Sequence, residues 1–80
     1  MNEYIATFHT HLSAMLTFQA LQKAGFHAKM QPVPRALSSS CGTCVRYTAE
    51  HDCRALLDTD AEALYLVERN AYRPLWQNGE

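Results

Sequence analysis

The stretch Phe26-His27-Ala28-Lys29-Met30-Gln31-Pro32-Val33 alternates apolar and polar side chains at a period of two. Such alternation marks a strand with one face on a core and one in water. Phe26, Ala28 and Met30 point one way, and His27, Lys29 and Gln31 the other. Pro32 and Pro34 lack the amide donor that a central strand needs, so the strand ends there and the chain enters a stiffened connection. Upstream, a helix is expected from about Leu12 or Ser13 to Ala24, stopped by Gly25. Leu12, Met15, Leu16, Ala20, Leu21 and Ala24 recur at spacings of three and four, which predicts one apolar stripe facing the core. Downstream, Thr43-Cys44-Val45-Arg46-Tyr47-Thr48 is β-prone and predicts the strand that follows the connection.

Working further outward, Tyr4-Ile5-Ala6-Thr7-Phe8 reads as the opening strand and His9-Thr10-His11 as a short link to the helix. Glu50 to Leu57 reads as a second, short helix, with Ala61-Glu62-Ala63 able to extend it, and Ala63 to Arg69 as a fourth strand. The tail Asn70 to Trp76 is expected to lay its aromatics over an edge or end of the sheet, with residues 77–80 loose. The order strand–helix–strand–strand–helix–strand predicts an α+β chain on the ferredoxin-like βαββαβ plan: a four-stranded antiparallel sheet with both helices on one face. No linker interrupts it, so residues 1–80 are expected to form a single domain.

At 80 residues, with 48% hydrophobic side chains, the chain has enough apolar content for one core. A formal net charge of −1 gives no electrostatic case for nucleic acid or an anionic membrane. No apolar run approaches the roughly 20 residues that cross a bilayer, and Met1-Asn2-Glu3-Tyr4 does not open a signal peptide. Three cysteines, an odd number, fit a reducing compartment better than a disulfide framework, so a cytoplasmic location is expected.

The chemistry concentrates in the connection Pro34-Arg35-Ala36-Leu37-Ser38-Ser39-Ser40-Cys41-Gly42-Thr43-Cys44. Cys41 sits between three serines and a glycine, in a segment too polar to be core. Glycine permits positive φ, so backbone amides can converge on one point, and such a nest favours an anion such as a thiolate or persulfide. Ser38, Ser39 and Ser40 carry hydroxyls that can donate to sulfur, while Arg35 and Arg46 flank the segment with positive charge. These residues, with Gly42 and Cys44, are the candidate site.

Pro34-Arg35, Leu37-Ser38-Ser39-Ser40-Cys41-Gly42 and Arg46 together resemble the signature of the selenium/sulfur carrier protein-like family, formerly a domain of unknown function. The resemblance extends to the opening strand at Tyr4–Phe8 and to the helix ending in Lys23-Ala24-Gly25, and covers nearly the whole chain. It implies a carrier in selenium or sulfur metabolism rather than a complete enzyme. Cys41 would be the carrying residue, with donor and acceptor proteins as partners and no cofactor. A cysteine at the position of Cys44 is not part of that signature.

Three other readings stand beside it. Cys41-Gly42-Thr43-Cys44 is a Cys-x-x-Cys pair, which allows a small thiol–disulfide oxidoreductase. Such pairs normally open a helix, however, and a strand is expected here. Cys41, Cys44, His51 and Cys53 reach four possible zinc ligands, and His9 and His11 share a strand face, but neither set has ordinary ligand spacing. Cys53 falls on an apolar helix side, where a buried inert thiol is the ordinary outcome. The last alternative is a non-catalytic interaction module. His9 or His11 would assist the cysteine if their link lies beside its loop.

Overall fold

The computed structural model describes residues 1–78. β1 (Asn2–Phe8) leads into α1 (His11–Lys23) and returns as β2 (His27–Pro32). β3 (Thr43–Ala49), β4 (Ala61–Glu68) and β5 (Ala71–Gln77) follow, with a 3-10 turn at Arg54–Leu56 between β3 and β4. The strands form one antiparallel sheet in the order β2-β3-β1-β4-β5, and α1 packs across β1, β2 and β3. Among the described residues no helix is long and apolar enough to cross a membrane.

β1 lies in the middle, and Tyr4 through Phe8 are all buried. The register carries its alternation into both neighbours. Tyr4 and Ala6 pair with Tyr47 and Val45 on β3 and with Leu66 and Leu64 on β4, which makes the α1 face. Ile5 and Thr7 pair with Arg46 and Cys44, and with Tyr65 and Ala63, on the opposite face. Phe8, Ala14, Leu21, Val45, Tyr47 and Leu64 form the heart of the α1-side core, where the rings of Tyr4 and Tyr47 stack with centroids 5.4 Å apart. Phe26, Ala28 and Met30 pack against it, as their alternation predicts.

The helix ends as expected but rolls differently. The Thr10 hydroxyl accepts from the Ser13 amide at 3.2 Å, capping the first turn. Gly25, at φ +93°, closes the last turn. Its N–H donates to the Gln22 carbonyl and that of Phe26 to the Leu21 carbonyl, both at 3.0 Å. The residues α1 buries are Ser13, Ala14, Thr17 and Leu21, whereas Leu12, Met15 and Leu16 of the expected stripe are exposed. The cause is a pair of polar contacts. Ser13 donates to the Asp60 carboxylate at 2.7 Å, and Thr17 accepts from the Asp58 amide at 2.9 Å, so both hydroxyls are satisfied inside. Small side chains on that side let the helix settle close to the sheet.

Further expectations are corrected. The sheet has five strands and the chain one α-helix, not four strands and two helices, so the ferredoxin-like plan does not describe it. The segment expected as a second helix cannot run through Cys53, whose φ is 53°. Asp52 accepts from both the amide and the guanidinium of Arg54, and the Tyr47 hydroxyl donates to the Asp52 carbonyl, which ties the backbone into a turn. The expected aromatic tail is β5, an edge strand on β4. Pro74 is tolerated there because an edge strand has one unpaired side and a register shift falls beside it. Gln77 ends β5 rather than starting a loose tail, the Asn78 amide donates to the Glu62 carbonyl at 2.8 Å, and Gly79 and Glu80 lie outside the described residues.

Leu21→Ala is expected to cost about 2–5 kcal/mol in urea unfolding, as a fully buried leucine. Leu16→Ala should stay within roughly 0.5 kcal/mol of wild type, as a surface substitution. Equal costs at the two positions would contradict the observed roll of α1.

Candidate functional site

The connection between β2 and β3 is held at both ends. The Val33 amide donates to the Gly42 carbonyl at 3.0 Å, extending the β2–β3 ladder, and the Leu37 amide donates to the Pro34 carbonyl at 2.9 Å, closing a turn. Gly42 takes φ +75°, a conformation an L side chain resists, and returns the chain to β3. From the β3 side the loop crosses the end of β1 to reach β4. Ser39 donates its hydroxyl to the Phe8 carbonyl at 2.9 Å. Ser40 donates its amide to both Glu62 oxygens, at 3.1 and 3.3 Å, and its hydroxyl to Oε2 at 2.5 Å.

Cys41 follows these tethers. It is half-buried and packs against the α1-side core, its thiol donating to the Thr43 carbonyl at 3.4 Å, with the Ser39 hydroxyl 3.9 Å away. Thr43 also places its own hydroxyl 3.4 Å from His11 Nδ1, at the start of α1. His9 Nδ1 lies 3.2 Å from Glu62 and 3.5 Å from the Ser40 hydroxyl. Both histidines therefore lie beside the cysteine loop.

The remaining expected site residues divide. Ser38 is exposed and lines a cavity with Thr7, His9 and Glu62. Arg35 is exposed, and among the described residues it makes no ion pair. Arg46 is committed to Glu3, with contacts of 2.7 and 3.1 Å, on the sheet face away from the core that Cys41 packs against. The two arginines flank the loop in sequence without converging on it in space. The backbone donor of Ser40, expected to serve the sulfur, is taken by a carboxylate.

Cys44 is fully buried on the face away from α1, and its thiol donates to the Pro32 carbonyl at 3.7 Å. Burial pushes that thiol up to about 11, which the nearby Arg46 charge and Gln31 only partly offset. Cys53 is buried as well, and burial, then the charge of Asp52, raises its thiol. All three cysteines are free thiols, and among the described residues no group of three His, Cys, Asp or Glu side chains is placed to hold a metal ion.

Glu62 is the functional candidate that sequence reasoning missed. Thr7 pairs with Ala63 and Phe8 with Ala61, so Glu62 is the extra residue of a β-bulge. Burial alone would raise its carboxyl, but the Ser40 hydroxyl and amide, Ser39 and His9 bring it below the ordinary value. In the sequence, Glu62 stands in an Ala-Glu-Ala run with helical propensity, and nothing there marks a bulge.

The family model described as "Putative Se/S carrier protein-like" matches residues 3–66. The chain belongs to the selenium/sulfur carrier protein-like family. A relative in Escherichia coli (strain K12), named there as the uncharacterized protein YtiA, is 35% identical over 75 residues, covering 91% of this chain and 88% of that one. No solved structure matches. Cys41 and its serines fall inside the matched span of this family member, as do Glu62 and His9.

Two outcomes follow from the local environments. With iodoacetamide at pH 7.5, Cys41 is expected to label first, and Cys44 only once denaturant exposes it; early labelling of Cys44 would contradict its sealed position. Glu3 and Glu62 are depressed in the folded state, Glu3 chiefly by its hydrogen bond to Arg46. The stability they add is present above the unfolded value of 4.5 and is lost as pH falls through the folded one. Glu3→Gln should therefore make the melting temperature less sensitive to pH below 4.5 than in wild type.

Proposed function

We propose that the chain carries one sulfur or selenium atom on Cys41 between a donor protein and an acceptor protein. The observation that supports this most directly is the sorting of three identical thiols. Two are sealed in the fold, and the third sits half-buried in a tethered loop, beside a serine hydroxyl. A carrier needs this combination: enough access to meet a partner's persulfide, and enough shelter to keep the cargo from small thiols in solution.

The transfer is redox-neutral. Cys41 gives its proton to water and attacks, as thiolate, the terminal sulfur of a persulfide on the donor. A new sulfur–sulfur bond forms, the donor's own sulfur–sulfur bond breaks, and the donor leaves as a thiolate. Cys41 then holds a persulfide whose terminal sulfur carries the negative charge, with the Ser39 hydroxyl as the nearest donor. Attack on that terminal sulfur by an acceptor thiolate reverses the step and regenerates Cys41. Selenium follows the same path as a selenopersulfide. Ser38 and Arg35, both exposed, are available to partners, and Gly42 supplies the left-handed residue that lets the loop return to β3. Free thiols throughout accord with a reducing, cytoplasmic setting.

The dithiol alternative draws little support from these environments. Cys44 lies on the other face of the sheet from the core that Cys41 joins, and its thiol stays protonated near neutral pH. Incubating the protein with a cysteine desulfurase and cysteine, or with a selenium donor, is expected to add one sulfur or selenium mass at Cys41 in wild type and none in Cys41→Ser. Peptide mass spectrometry reads both the mass and the position. No adduct, or equal adducts at Cys41 and Cys53, would end the carrier reading.

A further inference from the structure

Glu62 and Ser40 form the tightest polar contact of the loop, and neither the family match nor the carrier reading assigns Glu62 a role. The amide and hydroxyl of Ser40, the residue before Cys41, are both spent on the Glu62 carboxylate, and His9 Nδ1 stands 3.2 Å from it. The bulge that removes Glu62 from its ladder with β1 is what turns this side chain to the loop. Next to it the structure holds an anomaly. Thr7 is fully buried, and among the described residues its hydroxyl has no hydrogen-bond partner, a state that destabilises the fold. Thr7 and Glu62 line the same polar cavity of about 240 Å³, with His9, Ser38, Gln77 and Asn78 around it.

We propose that Glu62 is a positioning residue that latches the Cys41 loop, with two seats: the Ser40 donors when the loop is closed, and the Thr7 hydroxyl in the cavity when it is released. In the closed seat the amide and hydroxyl of Ser40, the residue before Cys41, are occupied by a resident carboxylate and withheld from any anion on the sulfur. In the released seat the carboxylate satisfies Thr7, and the Ser40 amide and hydroxyl are free to donate to a thiolate or to a persulfide. The orphan hydroxyl is thereby the partner the second state requires, reached from the cavity edge once the sealed site around Thr7 opens. The titratable groups that face Glu62 are His9 from the β1–α1 link and Tyr65 across the cavity. The latch rests on Cys41 being the working residue of the loop, but not on what it carries.

The test is the rate of Cys41 alkylation by iodoacetamide at pH 7.5, read by peptide mass spectrometry, which involves no sulfur donor and is therefore separable from the loading experiment. Glu62→Ala is expected to raise the rate about fivefold, the order set by releasing one net hydrogen bond, and Glu62→Gln by less because it keeps a neutral acceptor. Loosening a purely structural tether would also raise the rate, so Thr7→Val decides. It removes the orphan hydroxyl without changing side-chain shape, and is expected to raise the melting temperature while slowing alkylation at least twofold. An unchanged rate in Thr7→Val would overturn the second seat, since a trapped water on Thr7 would give that result. An unchanged rate in Glu62→Ala would overturn the latch. Should Glu62→Ala fail to fold, the wild-type Ser40 amide shift serves instead. It should titrate with a midpoint below 4.5, and the latch fails if it does not move.

Discussion

The arrangement depends on β1 being paired on both edges. A strand in that position has its backbone donors and acceptors used by β3 and β4, and its side chains covered on both faces, so Tyr4 to Phe8 are sealed. The sheet can present chemistry only where this pairing stops, at Phe8. There the ladder with β4 slips by one residue, the Phe8 carbonyl is left for Ser39, and Glu62 turns to Ser40. The cysteine loop is thus anchored to an irregular corner of the sheet. Its position follows from backbone pairing as much as from its own sequence.

Placement also explains why three cysteines of one chemical type behave as three different groups. A thiolate is disfavoured wherever water is excluded and positive charge compensates too little. Cys44 lies in the sheet interior and Cys53 in the tied turn after β3, and both meet that condition. Cys41 instead stands half-buried in a loop tethered to the sheet by hydrogen bonds from Ser39 and Ser40. The resting loop is nonetheless not an open anion cradle. The amide and hydroxyl of Ser40 face the Glu62 carboxylate rather than the sulfur.

Much of this was legible in the residues. The period-two run at Phe26–Gln31, the prolines after it and Gly25 before it located β2, the end of α1 and the loop, because each is a local signal. What escaped notice was non-local. Thr17 falls off the apolar stripe of α1 in sequence, and only Asp58, some forty residues away, lets it be buried, as Asp60 does for Ser13. A helix through Glu50–Leu57 had adequate propensity but met the Asp52–Arg54 and Tyr47–Asp52 contacts, which hold Cys53 left-handed. β5 carries Pro74 and shows its nature only when β4 supplies a partner. Glu62 depends on a bulge, a property of two strands together. In the same way, arginines on either side of the loop in sequence suggested a positive site, while Arg46 was bound to Glu3 across the sheet.

A carrier must give up what it holds, and this is where the account stands or falls. Protein loaded with radiolabelled sulfur at Cys41 can be separated from its donor and mixed with an acceptor protein bearing a reactive thiol, and the label then followed on a non-reducing gel. The account predicts that label leaves Cys41 for the acceptor while Cys41 returns as a free, alkylatable thiol. Label that stays on Cys41, or that departs only as inorganic sulfide at a rate indifferent to the acceptor, would contradict it.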